Sequence, residues 1–158
     1  MDTKPHLGII GGTGVYQFDA LTNIKEVNLD TPFGQPSSPI VLGEIDNSPV
    51  AFIARHGIGH IIPPSHINYR ANIYALKLLG VDRIISISAC GSLREDYEPG
   101  DIVIPDQLFD FTRGRERTFF QEGLVAHVGV ADPFCPGLSE LLFQSVSPLT
   151  TKVHKGGT

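Results

Sequence analysis

The stretch that most constrains this chain is LGIIGGTG, residues 7–14, where a short apolar run ends in three glycines and a threonine. A strand that empties into glycines can turn its backbone sharply and point several N–H groups into one concavity, a geometry suited to a phosphate oxygen. Thr13 adds a hydroxyl donor at the same place. Two familiar patterns are incomplete here. A P-loop requires a lysine followed by Ser or Thr after its last glycine, and a dinucleotide fingerprint needs a third glycine where Gln17 stands. An ordinary tight turn stays open beside the anion reading.

Beyond Gly14 the chain reads as alternating strands and helices. Apolar runs bounded by turn residues predict strands near residues 7–11, 24–29, 40–45, 49–54, 83–89 and 100–105. Asp46-Asn47-Ser48 lies between IVLGEI and PVAFIA, a polar turn between two β-rich runs. After Pro63-Pro64, Ser65 is placed to cap a helix with Ile67, Ala71, Ala75, Leu78 and Leu79 on one face, and Gly80 stands where a helix commonly stops. RIISISA, residues 83–89, then reads as a strand buried on both faces. Strand, helix, strand implies a βαβ crossover, an at least partly parallel sheet and an α/β fold. A weaker helix is expected over residues 137–146, and a further strand begins near Thr150 to Val153.

A chain of 158 residues can remove roughly 70% of its unfolded surface from water, so one domain over residues 1–158 is expected. Twelve basic and seventeen acidic side chains leave a net charge of −5, so no overall field favours nucleic acid or an anionic membrane, and any anion must be held locally. MDTKPH lacks a basic segment followed by an apolar one, and no apolar stretch reaches membrane-spanning length. A soluble cytoplasmic protein is the resulting expectation.

Three further stretches carry candidate chemistry. In ARHG, Arg55 follows an apolar strand and can grip an oxyanion through parallel N–H bonds, with His56 as another donor; a surface ion pair is the plainer reading. In ISISACGSL, Ser88 and the N–H groups after it stand at the carboxyl end of a predicted parallel strand, where ligands of open α/β sheets lie. In FTRGRERTFF, Arg113, Arg115 and Arg117 precede Phe119 and Phe120; a solvated loop or subunit contact suits an acidic chain better than a nucleic-acid strip. His56 and His60 have metal-helix spacing, but the intervening glycines oppose a helix and no metal is expected. Cys90 and Cys135 read as reduced, small, buried residues, and nothing local marks Cys90 as a nucleophile.

Taken together, GIIGGTG, DTPFGQPS, ARHG, PPSHINYRANIYALK, SACGSL, PGDIVIPDQ and DPFCP resemble the 5′-methylthioadenosine phosphorylases, within the purine nucleoside phosphorylase family, in the family's order and over nearly the whole chain. The resemblance implies a nucleoside phosphorylase-like α/β fold with a central mixed, partly parallel sheet flanked by helices. It implies a phosphate site of Thr13, Arg55, His56 and Ser88 with the backbone of Ala89, which also serves the substrate. Ser88 stands where better-known relatives carry threonine and keeps the hydroxyl. His127 matches a histidine that reaches across a subunit boundary toward the methylthio pocket of a trimer. The implied reaction displaces adenine from methylthioadenosine with inorganic phosphate as co-substrate, yielding 5-methylthioribose 1-phosphate, with no cofactor and no nucleic-acid or membrane partner.

By the same resemblance, relatives continue for nearly as long again beyond the point matching Thr158. That portion carries a strand-end threonine for phosphate, a methionine for ribose and the acidic residues that protonate the leaving purine, so the general acid has no counterpart here. The expectation is an N-terminal portion, incomplete at the C-terminal side of its fold and impaired when alone. A phosphorylase for 6-oxopurine nucleosides such as methylthioinosine, a non-catalytic phosphate-binding or interaction fragment, and a dinucleotide-binding domain are the alternatives.

Overall fold

A computed structural model of the chain describes residues 4–12, 19–120, 123–149 and 152–158. They fall into two compact units, residues 1–90 with 116–119, and residues 91–115 with 120–158.

The first unit is built on a five-stranded mixed sheet of β1 (Leu7–Gly11), β2 (Thr22–Val27), β3 (Ile40–Ile45), β4 (Ser48–Ala54) and β5 (Arg83–Ser86) in the order β2-β3-β4-β1-β5. β3 and β4 form the expected hairpin, and Asp46 and Asn47 turn it with φ of 48° and 61°. Positive φ at both central residues matches the right-handed twist of the flanking strands, and Asn and Asp bear it more readily than most residues. β1 runs parallel to both β4 and β5. The chain leaves β4, passes through helix α1 (Tyr69–Leu78) and returns as β5 beyond β1, which is the crossover that the strand-helix-strand order predicts.

α1 packs on one sheet face. Ile40, Ala51, Ile53, Ala75, Leu76 and Val81 form that core, while Ile9, Phe52 and Ala54 form a smaller one. Gly8 permits the close approach, because a Cβ there would stand 3.0 Å from Val81 and 3.2 Å from Leu76.

Several local expectations are corrected. Asn68, not Ser65, caps α1, its side chain accepting from the Ala71 N–H, whereas Ser65 lies in a separate 3₁₀ turn, Pro64–His66. A proline before the turn and extended backbone at Ile67 delay the helix by a few residues. The buried face is Ala71, Asn72, Ala75 and Leu76, and Leu78 is 54% exposed. β5 is not buried on both faces. It pairs only with β1 among the described residues, ends at Ser86 rather than 89, and leaves Arg83 and Ser86 exposed.

The second unit pairs β6 (Ile102–Ile104) in parallel with β7 (Val153–Lys155) and contains α2 (Pro136–Val146). Residues 150–151, where the sequence places the start of the last strand, lie outside the described residues. Three pairs of acidic and basic groups form within this unit: Arg94 forks onto Asp96, Lys152 meets Glu98, and Lys155 meets Glu140. Asp101 accepts from the Glu98 N–H at 3.0 Å and lies 2.7 Å from His154 Nε2, while the Tyr97 ring stacks on His154.

Candidate functional site

The strand ends of the first unit meet at one edge. Arg55 follows β4 directly, and its N–H donates to the Gly11 carbonyl at 3.0 Å, while the Ile87 N–H donates to the Ile10 carbonyl at 2.9 Å. These two backbone bonds bring the exits of β4 and β5 to either side of β1. The Arg55 side chain then crosses β1, and its Nη1 donates to Ser88 Oγ at 2.7 Å. Because Oγ is the acceptor in that bond, the Ser88 hydroxyl hydrogen stays available for a second partner.

His56 is buried, 7% exposed, and held at both ring nitrogens. Nδ1 lies 2.9 Å from the Ile62 carbonyl oxygen, which can only accept, so Nδ1 carries the hydrogen. Nε2 then accepts from Arg55 Nε at 3.1 Å. As placed, the ring orients the guanidinium and has no N–H left for an anion. The His60 ring lies beside it at 4.3 Å.

Arg55, His56, Ser88 and Ala89 line one cavity of 690 Å³. Ile10, Ile73 and Ile84 give the cavity apolar lining, and Tyr69 and Asn72 of α1 border it as well. The described lining includes a guanidinium, an imidazole and a hydroxyl but no carboxylate. Such a set suits an oxyanion attached to a less polar body. Thr13 lies outside the described residues. His127 belongs to the second unit and is exposed. Among the described residues, no group of three or more His, Cys, Asp or Glu is placed to hold a metal, and no helix is long and apolar enough to cross a membrane. Cys90 and Cys135 are free and exposed, not buried as expected, because Cys90 follows the end of the β5 ladder and Cys135 precedes the first turn of α2.

Asn72 escaped the reading of the sequence as a wall residue of this site. The signal was present as an amide on an otherwise apolar helix face. At 2% exposure its side chain accepts from the Ser37 N–H at 2.8 Å and donates to Ser37 Oγ at 2.9 Å. The adjoining Ser38 Oγ accepts from the Ala54 N–H at 3.1 Å, so this clasp reaches the backbone beside Arg55.

A family model described as the phosphorylase superfamily matches residues 6–158. The S-methyl-5′-thioadenosine phosphorylase of Thermofilum pendens is 58% identical over 155 residues, covering 98% of this chain and 59% of the relative. That of Hyperthermus butylicus is 54% identical, with 98% and 57% covered. Among solved structures, a methylthioadenosine phosphorylase from an antarctic soil metagenomic library superposes with a TM-score of 0.92 at 49% identity, over 98% of this chain and 54% of that one. A variant adenosine/methylthioadenosine phosphorylase from Schistosoma mansoni, solved in complex with methylthioadenosine, gives 0.87 at 42% identity, over 92% and 53%. The chain therefore spans little more than half the length of the relatives it matches.

Proposed function

The chain belongs to the phosphorylase superfamily, and from that premise we propose that it supplies the phosphate-holding part of a 5′-methylthioadenosine phosphorylase. The observation that carries this reading is the guanidinium of Arg55 laid across β1 onto Ser88 Oγ, at the head of a cavity with no described carboxylate. In the reaction a phosphate oxygen forms a bond to ribose C1′ as the bond from C1′ to the purine nitrogen breaks. The electron pair leaves with adenine, which takes a proton. Phosphate is itself the nucleophile, so the protein's task on this side is to hold and aim it beneath an electron-poor carbon, where its negative charge also steadies the cationic sugar. Arg55 and Ser88, with Thr13 and the Ala89 backbone, are assigned to that task, and His56 to it through its bond to Arg55.

The names of the relatives favour methylthioadenosine as the nucleoside. The purine-side groups, including the general acid, are assigned to the part of the relatives' length that this chain does not span. A trimer, with His127 reaching a neighbouring subunit's site, and a cytoplasmic location complete the proposal.

The test is equilibrium dialysis of radiolabelled inorganic phosphate against the chain and its Arg55→Ala variant. The chain is expected to bind phosphate and the variant to lose at least about tenfold in affinity, since a charge-assisted hydrogen bond typically contributes about 1.5–3 kcal/mol. Equal binding by both would remove Arg55, and with it the reading, from the site.

A further inference from the structure

Gly12 stands at the point where Arg55 crosses β1. An ideal Cβ built on it would lie 2.9 Å from Arg55 Nη2 and 3.7 Å from Cζ, closer to the guanidinium than a real methyl group comes to any neighbour. A left-handed backbone is not what calls for glycine there, because Gly12 is absent from the positive-φ residues. What the position requires is room. The first atom in the way is the tip of a flexible side chain, and the next neighbours, Cζ and the Ile87 carbonyl oxygen, stand at ordinary contact distance of 3.7 Å.

The geometry points to Gly12 as a positioning residue for Arg55: its missing side chain is what lets the guanidinium span from β4 over β1 to Ser88. A methyl group there pushes Nη2 outward and, because the guanidinium is planar and rigid, carries Nη1 off Ser88 Oγ as well. The backbone around it, held by the bonds from Arg55 to Gly11 and from Ile87 to Ile10, has no reason to move. For its effect on the ligand, this inference rests on the reading of the cavity as a phosphate site.

The experiment compares the chain with Gly12→Ala, Ser88→Ala, Arg55→Ala and the Gly12→Ala/Arg55→Ala double variant, using nitrogen NMR of the Arg55 guanidinium and phosphate dialysis. Gly12→Ala is expected to keep the backbone spectrum, to shift the Arg55 guanidinium signals to where Ser88→Ala places them, and to weaken phosphate binding about tenfold, the loss of one charge-assisted hydrogen bond. In the Arg55→Ala background the same methyl group is expected to change nothing further. Unaltered Arg55 signals, or an equal further loss of phosphate affinity in the Arg55→Ala background, would overturn the inference. If Gly12→Ala does not fold, the double variant decides: folding restored by removing Arg55 supports the clash, and failure of both places it elsewhere. If the unaltered chain binds no phosphate, the phosphate reading fails, while the guanidinium signals still decide the role of Gly12.

Discussion

At the residue scale, the site turns on one contact between side chains 33 positions apart, Arg55 Nη1 to Ser88 Oγ. Each residue type suggested oxyanion chemistry on its own and the resemblance put both at one phosphate site, but the direct bond between them followed from neither. It depends on β4 and β5 both lying beside β1, which is a matter of strand order. Ser88 has two tasks in this arrangement, accepting from the guanidinium and keeping a hydrogen for the ligand. Ser88→Ala removes both and is expected to weaken phosphate binding about tenfold, whereas Ser88→Thr keeps the hydroxyl and stays within a few-fold of the parent. Phosphate dialysis checks this, and an alanine variant that binds like the parent would show the hydroxyl to be idle.

At the element scale, local patterns placed the pieces and missed their joints. The two-residue hairpin between β3 and β4 was legible because Asp46 and Asn47 suit positive φ, which is a property of those residues themselves. The start of α1 was not, since Ser65 and Asn68 are both good caps, and extended backbone at Ile67 separates the 3₁₀ turn of Ser65 from the helix that Asn68 caps. Asn68 also donates to the Phe33 carbonyl at 2.6 Å, so the cap and the docking of the 33–37 segment are one event. One turn on, Asn72 grips Ser37 with both ends of its amide. Asn72→Leu is expected to destabilise the first unit by about 1–3 kcal/mol, because the half-buried Ser37 N–H and hydroxyl both lose their partner. Urea unfolding measures this, and an unmoved midpoint would show that Ser37 finds another partner.

At the scale of the whole molecule, the two units differ in how their charge is used. Among the described residues, the carboxylates held below their usual range, Asp96, Asp101 and Glu140, lie in the second unit. Asp96 is lowered chiefly by its hydrogen bond to Arg94, Asp101 by the Glu98 N–H and then by His154, and Glu140 by Lys155 and then by Gln144. A carboxyl whose folded pKa is depressed contributes stability that is complete above its unfolded value and is lost as pH falls through the folded one. Acid is therefore expected to loosen the second unit first, below the ordinary carboxylate range, while the apolar core around α1 persists. Proton NMR of Tyr97 against Tyr74 during acid titration checks the order, and Asp101→Asn should flatten the acid limb at Tyr97 alone. Loss of Tyr74 first, or of both together, would refute it.

The sequence by itself determined the kinds of element, the hairpin turn, the crossover through one helix and the family, because propensity, turn chemistry and long ordered motifs are written in neighbouring residues. Only the tertiary structure decided that β5 pairs with β1 alone among the described residues, that His56 steadies Arg55 through Nε2, and that Gly12 matters for the space it leaves. Those facts arise where three strand ends converge, and a side chain's partner across a sheet is set by strand order and register, which no local stretch of residues contains.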